Sequence, residues 1–216
     1  MNKTKLGQSV QGRHIEVYHF GKGSYSLHIY GGIHGDEPES VNVVWRLMEL
    51  LEKEQNEYKN KSLTIIPNLN PDGAALKTRV NANKVDLNRN FPSRQWSAHH
   101  ELAKNYPGPH ASSEPEVKAL VKLIEEHPPK AILSVHSWIP QINFDGPAEK
   151  ICQKMAEKNK YKITPHIGYS TNGSLGQWMG EDHHVPTITL EAPEKTDFEQ
   201  VWKENKEALL AFIQYA

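Results

Sequence analysis

Histidine and carboxylate side chains stand three residues apart at one point of the chain, where His34 is followed by Glu37. An imidazole and a carboxylate at this spacing can bind the same metal ion. Gly31 and Gly32 precede the pair, and adjacent glycines at the end of a strand allow a close approach of backbone that other residues do not. Alone, the pattern also fits a surface turn that leads into a helix. His34 and Glu37 are therefore candidate metal ligands that need a third partner.

Two more polar residues follow short apolar runs. His136 follows residues 131–135, and Glu191 follows residues 187–190. Taken singly, His136 fits a hydrogen-bonded core residue, and Glu191 fits a capping or salt-bridging carboxylate. Together with His34 and Glu37, however, His136 completes the two-histidine, one-glutamate set of catalytic zinc sites, whose fourth position stays open for water. Beside such a water, Glu191 would act as the general base.

A long segment rich in Asn, Pro and Gly, residues 68–110, includes Arg79 and Arg89. Segments of this length without clear periodicity are often functional. Arg79 and Arg89 also fit plain surface cations. Since Arg89 lies between Asn88 and Asn90, however, the three side chains offer a fork of donors suited to a carboxylate. A substrate with a free carboxylate is one expectation.

The elements that must position these residues can be predicted from periodicity. Because helices alternate with short apolar strands, we predict an α/β fold with a mixed, largely parallel sheet and helices on both faces. Ligands of open α/β sheets bind outside the carboxyl ends of the strands, so the polar residues at three strand ends can converge. The predicted strands are 13–20, 24–30, 63–67, 130–136 and 187–191, and the predicted helices are 38–58, 113–126, 147–160 and 198–215.

Composition excludes several classes of function. The 216 residues carry 25 Lys and Arg against 26 Asp and Glu, a net charge of −1. The chain therefore has no overall positive charge that would attract nucleic acid. A single domain over residues 1–216 is expected, as a monomer or a small homo-oligomer. No apolar run reaches the length of a membrane helix, and the polar start predicts no signal peptide. With Cys152 as the only cysteine, we expect a cytoplasmic protein.

Five motifs in order give the chain a family resemblance. They are HxxE at His34, Asn-Pro-Asp-Gly, Asp-x-Asn-Arg-Asn, Ser-x-His-Ser and a glutamate that ends a late strand. This order, which covers most of the chain, resembles the zinc carboxypeptidase superfamily related to carboxypeptidase A. The resemblance implies a phosphorylase/hydrolase-like fold and one zinc ion per chain. The segments GGIHGDE, RVNANKVDLNRNFP, GYSTNGSLGQW and TITLEAP resemble the bacterial murein peptide amidases within it.

That narrower resemblance implies a substrate and a metal site. The substrate would be murein tripeptide, whose γ-D-glutamyl–meso-diaminopimelate bond is hydrolysed during cell-wall recycling. Family positions make His34, Glu37 and His136 the zinc ligands and Glu191 the base that takes a proton from water. Asp86 matches the carboxylate that orients the first ligand histidine.

The resemblance also implies how a peptide would be held. Arg79 matches the arginine that polarises the scissile carbonyl. Asn88 and Arg89 match the pair that grips the terminal carboxylate, and Tyr169 matches a tyrosine that closes over the product side. Asp36 stands where the digestive carboxypeptidases carry Arg, which implies a different peptide; the amidases also carry Asp.

Two alternatives stay open at this point. An amidohydrolase of the succinylglutamate desuccinylase and aspartoacylase type shares the Gly-x-His-Gly-x-Glu start, although the full NPDG and DLNRNFP runs argue against it. A non-catalytic zinc-binding or peptide-binding module is the alternative from another class. The loss of a ligand or of the base would favour that module, and all four residues are present.

Overall fold

A mixed β-sheet runs through the computed structural model, which describes residues 1–165 and 169–216. Eight strands of the described residues form it, in the spatial order 1-2-4-3-5-8-6-7 along the chain numbering. The strands are β1 (Asn2–Gln8), β2 (His14–Gly21), β3 (Tyr25–Tyr30), β4 (Lys61–Ile66), β5 (Ala131–Trp138), β6 (Gln141–Asp145), β7 (Lys162–Ile163) and β8 (Thr187–Pro193).

The centre of this sheet is parallel, as predicted. Strands β4, β3, β5 and β8 pair in parallel, whereas β1 and β2 on one side and β6 on the other pair in antiparallel fashion. The carboxyl ends of the four parallel strands therefore meet at one edge. In the pairing of β5 with β8, His136 lies directly opposite Glu191.

Helices cover both faces of the sheet, which confirms the predicted fold class. On one face, the core includes Leu133 of β5, Val44 and Leu209; on the other, Ile132 of β5 packs with Leu120. In the described part of the chain, no helix is long and apolar enough to cross a membrane. The helices are α1 (Pro38–Lys53), α2 (Pro71–Leu76), α3 (Pro115–Glu126), α4 (Glu149–Asn159) and α5 (Phe198–Tyr215), together with a π-helical segment, Gly176–Asp182.

Several boundaries differ from the prediction. The first predicted helix, 38–58, ends at Lys53 and is followed by a separate 3₁₀ turn, Gln55–Tyr58. Strand β1 was not predicted because it is a polar edge strand that buries no complete face. The segment 68–110 contains α2, whose start is capped by the Asn70 side chain, which accepts a hydrogen bond from the Gly73 amide at 2.9 Å.

Candidate active site

A glycine turn carries the chain from β3 to His34. Gly32 adopts φ +61°, and a Cβ there would lie 2.8 Å from Asn68 Oδ1, so a larger residue would be both strained and crowded. The Asn70 amide donates to the Gly32 carbonyl at 2.9 Å, which attaches this turn to the segment after β4. Glu37 then occupies the N-cap position of α1. The turn thus places His34 and Glu37 together at the carboxyl edge of the sheet.

The three predicted metal ligands converge there, as part of a buried cluster. His34 Nδ1 lies 2.7 Å from Glu37 Oε1, and His136 Nδ1 lies 3.0 Å from Glu37 Oε2. The two Nδ1 atoms are 3.1 Å apart. One ligand atom from each residue lies within 4.8 Å of the others, and residues 1–165 and 169–216 contain no further group of this kind.

The outer nitrogens of both histidines are bonded away from the cluster. His34 Nε2 lies 3.1 Å from Asp86 Oδ1, and His136 Nε2 lies 3.0 Å from Ser134 Oγ. With protons on both Nε2 atoms, the two Nδ1 lone pairs face one another beside the Glu37 carboxylate. Arg79 Nη1 lies 3.3 Å from His34 Nδ1 and can donate to it, and a cation between the two nitrogens would relieve the repulsion that is left. The Ser137 amide also donates to Glu37 Oε2 at 3.1 Å. This donor set and its outer partners fit zinc.

Charges in the cluster shift the pKa values in opposite directions. Burial raises the pKa of Glu37, but the neighbouring His34 and His136 outweigh burial and leave the pKa well below its usual range. For His34, burial and the Arg79 charge lower the pKa, and the Glu37 and Asp86 carboxylates together raise it above its ordinary value. Because a metal ion must replace the proton on such a histidine, metal binding here is coupled to proton release.

Glu191 lies beside the cluster on β8. Its Oε2 is buried and finds no hydrogen-bond partner in the described part of the chain. Burial, together with the Glu37 carboxylate and against the opposing effects of His136 and Arg79, raises the pKa of Glu191 to about 7. A carboxylate with this pKa can exchange a proton with water near neutral pH.

Arg79 borders the same cluster through Asp86. Its Nε and Nη2 lie 3.0 and 2.9 Å from Asp86 Oδ2, and its Nη1 lies 3.8 Å from Glu37 Oε1. The Arg79 side chain is 22% exposed, whereas the Asp86 side chain is fully buried. Asp86 therefore holds Arg79 and His34 at once, and part of the guanidinium is exposed to solvent.

Asn88 and Arg89 lie in a 3₁₀ turn, Leu87–Arg89, whose N-cap residue is Asp86. Asp86 Oδ1 accepts from the Asn88 amide at 2.9 Å, and Asn88 Oδ1 accepts from the Leu175 amide at 3.0 Å. The Arg89 side chain donates to the Asn88 carbonyl at 2.6 Å. Arg89 is buried, yet no ion pair to it occurs among the described residues. A buried guanidinium of this kind can bind an external carboxylate.

The sequence match to a known protein family identifies the kind of enzyme that carries this site. Residues 1–145 match the family described as zinc carboxypeptidase, which is 145 of the 216 residues. The chain belongs to the zinc carboxypeptidase family. It is therefore a hydrolase, and the family uses zinc. The buried cluster of His34, Glu37 and His136 could hold such an ion.

Similar proteins include amidases within this family. A murein peptide amidase A from Vibrio campbellii is 33% identical over 87% of this chain and 77% of that protein. The crystal structure of the murein-tripeptide amidase MpaA from Escherichia coli O157 has a TM-score of 0.81 at 26% identity, covering 98% of this chain and 92% of that one. Bovine thrombin-activatable fibrinolysis inhibitor (TM-score 0.84, 22% identity, 99% and 88% covered) shows the fold alone.

Two exposed aromatic side chains, Trp138 and Tyr169, lie near the cluster. Tyr169, predicted to close over the product, is 51% exposed, and its ring lies edge-on to Trp138 at 6.3 Å. Trp138 was not assigned a role from sequence. The signal was available, because Trp138 is two residues beyond His136 on β5 and alternate residues of a strand share a face. Burial raises the pKa of Tyr169, with the Arg89 charge acting against it.

Proposed function

We propose that this chain is a zinc-dependent exopeptidase or amidase that hydrolyses an amide bond next to a free carboxylate. The observation that carries the proposal is the position of Glu191 directly opposite His136, beside the convergent cluster of His34 and Glu37. Its preferred substrate would be murein tripeptide, cut at the γ-D-glutamyl–meso-diaminopimelate bond. The similarity to murein peptide amidase A over most of both chains supports this substrate.

In this proposal His34, Glu37 and His136 hold one zinc ion. When bound, zinc supplies Lewis acidity, which polarises a carbonyl and makes water nucleophilic near neutral pH. Glu191 takes the proton from the attacking water and returns it to the leaving amine. The pKa of about 7 suits both transfers, because the carboxyl group then gains and loses a proton at little cost.

The remaining residues hold the peptide. Arg79 donates hydrogen bonds to the scissile carbonyl oxygen as negative charge develops there, while Asp86 keeps the guanidinium and His34 in position. Arg89, assisted by the Asn88 side chain, binds the free carboxylate of the leaving residue. Tyr169 covers the product side of the cleft.

We also place the protein in the cytoplasm, where a tripeptide of cell-wall recycling would be met. The single cysteine, Cys152, is free and buried, which agrees with a reducing compartment. The partner in this proposal is a small peptide.

The test is hydrolysis of L-Ala-γ-D-Glu-meso-diaminopimelate by protein with one zinc per chain, measured by mass spectrometry of released diaminopimelate. A plain peptide with a free C-terminus is the comparison substrate. His34→Ala, which removes a ligand, should lose both zinc and activity. Absence of release from the tripeptide by zinc-replete protein would overturn the substrate, and absence of release from both peptides would overturn the proposed activity.

A further inference from the structure

Two glutamates at the start of α3 are buried although neither takes part in the proposed reaction. Glu114 is the N-cap residue of the helix and Glu116 lies in its first turn. Their residues are 2% and 0% exposed, and neither forms an ion pair within the described part of the chain. Burial of a carboxylate is costly unless hydrogen bonds compensate it. The hydrogen bonds of these two side chains therefore indicate why they are there.

The Glu114 side chain binds the start of residues 81–90, which we call the 81–90 segment. Glu114 Oε2 accepts hydrogen bonds from Asn81 Nδ2 at 2.7 Å and from Asn83 Nδ2 at 2.8 Å, and Oε1 accepts one from Ser113 Oγ at 2.7 Å. Glu116 Oε2 accepts a longer bond from Asn81 Nδ2 at 3.2 Å. Glu114 is thus the main partner of the Asn81 and Asn83 side chains.

Asn81 in turn closes a small loop in front of Asp86. Its Oδ1 accepts from the amides of Asn83 and Val85 at 3.0 and 3.1 Å, and its own amide donates to the Val85 carbonyl at 3.0 Å. Val85 is the residue before Asp86, the N-cap of the 3₁₀ turn that contains Arg89. The orientation of Asn81 therefore fixes how the chain enters this turn.

Glu114 also binds the other end of the 81–90 segment. Its backbone amide donates to Asn90 Oδ1 at 3.1 Å, and Asn90, which follows Arg89, is fully buried. One residue thus bonds both ends of the segment, through its side chain at Asn81 and through its backbone at Asn90. Between these ends lie the residues that support the metal site and bind the substrate carboxylate in the proposed function: Asp86, Asn88 and Arg89.

The guanidinium of Arg89 depends on this backbone for its position. Among the described residues, its only hydrogen bond runs to the Asn88 carbonyl, inside the same turn. We propose that Glu114 is a positioning residue that holds the 81–90 segment so that Arg89 binds the substrate carboxylate. This inference rests on the proposed function, in which Arg89 binds that carboxylate. Without the Glu114 carboxylate, Asn83 loses its partner and Asn81 keeps only the longer bond to Glu116.

The first arm of the test compares two substrates on zinc-loaded protein. They are the murein tripeptide and its derivative in which the carboxylate next to the scissile bond is an amide. In Glu114→Met, KM for the tripeptide should rise about tenfold relative to KM for the amide, the lower end of the range for a hydrogen bond to a charged group. A merely structural loss of folded protein would lower both rates and leave each KM unchanged. An unchanged ratio of the two KM values would overturn the inference.

Two matched variants separate hydrogen bonding from charge. Glu114→Gln keeps one oxygen for Asn81 and Asn83 and can turn its NH₂ towards Ser113 Oγ, so the KM ratio should stay within about twofold of wild type. Glu125→Met makes the same change at an exposed position of α3, and the ratio should be unchanged. A rise in either variant equal to that in Glu114→Met would overturn positioning through hydrogen bonds.

A variant at the exposed end of the same contact covers the case in which Glu114→Met does not fold. Asn83 is exposed, so Asn83→Asp is expected to fold, and it places a second carboxylate where Asn83 Nδ2 now donates to Glu114. Repulsion between the two carboxylates should displace the segment and raise the KM ratio by at least about threefold. A ratio equal to that of wild type would overturn the inference.

A binding measurement separates failure of the inference from failure of the proposed function. If the wild-type protein hydrolyses neither peptide, the proposed function is wrong. Calorimetry with the same two peptides then gives Kd in place of KM. A preference of wild type for the carboxylate form that is lost in Glu114→Met would support the inference. The absence of that preference in wild type, or its survival in Glu114→Met, would overturn it.

Discussion

Replacing Asp86 by Asn tests how the metal site is supported from outside. The fully buried carboxylate accepts hydrogen bonds on both oxygens, from the Asn88 amide and His34 Nε2 on Oδ1 and from Arg79 on Oδ2. An amide has only one oxygen, so its NH₂ must face a donor on one of the two sides. Loss of such a partner of a metal-binding histidine typically lowers affinity by about 10- to 100-fold. At about 1.4 kcal/mol per tenfold, this is about 1.4–2.8 kcal/mol of zinc binding.

The assay is competition for zinc between the protein and a chromophoric chelator at fixed pH. Asp36→Asn is the matched control, because Asp36 is an exposed acid between His34 and Glu37 in sequence. Its change should stay below about threefold, since an exposed charge is screened by solvent. An Asp86→Asn protein that binds zinc within about twofold of wild type would refute the supporting role. An equal loss in Asp36→Asn would show that net charge alone matters.

Three further predictions concern the proposed base Glu191, the proposed carboxylate-binding residue Arg89 and the buried His28. Glu191→Gln should keep one zinc per chain by metal analysis and lose about 10²- to 10⁴-fold in kcat, so retained activity would remove the proposed base. Arg89→Met should raise KM for peptides with a free C-terminal carboxylate by about 10- to 100-fold and should leave KM for the corresponding C-terminal amides little changed. An equal rise in KM for both kinds of peptide would contradict carboxylate binding by Arg89. His28 is fully buried, and burial lowers its pKa to about 3. As the pH falls, the His28 ring is protonated in the unfolded chain before it is protonated in the folded one. The contribution of His28 to the free energy of unfolding is therefore complete above about pH 6.5 and falls towards pH 3 by up to about 1.4 kcal/mol per pH unit. Urea denaturation should show a shallower fall for His28→Gln than for wild type, and identical slopes would contradict this role of His28.

The sequence predicted the parallel strands, the antiparallel strand β2 and the four long helices, and it missed β1, α2, β6, β7 and the π-helical segment. Buried strands such as β5 and β8 are apolar over most of their length, and that signal is local. Strand β6 has the alternating polar pattern of Gln141, Asn143 and Asp145, but it is only five residues long. Gly176 and Gly180 of the π-helical segment pack closely against Asp145, which is distant in sequence. Elements held by tertiary contacts were therefore the ones left out.

For the site, the sequence supplied the types and order of the polar residues. His34 and Glu37 are near neighbours in the chain, so their meeting could be expected from spacing alone. His136 is about a hundred residues further on, and only the strand-end argument and the family resemblance pointed to it. The contact of His136 Nδ1 with Glu37 Oε2 at 3.0 Å agrees with that expectation.

What the sequence determined by itself is which side chains are available and which faces of strands and helices are apolar, because these depend on residue type and local periodicity. The tertiary structure decided the rest. The register of β8 against β5 places Glu191 opposite His136, and the register of β6 against β8 places Gln141 opposite Glu191. A shift of one residue in either pairing would turn these side chains to the other face of the sheet. Register depends on contacts between segments distant in the chain, and no local pattern encodes it.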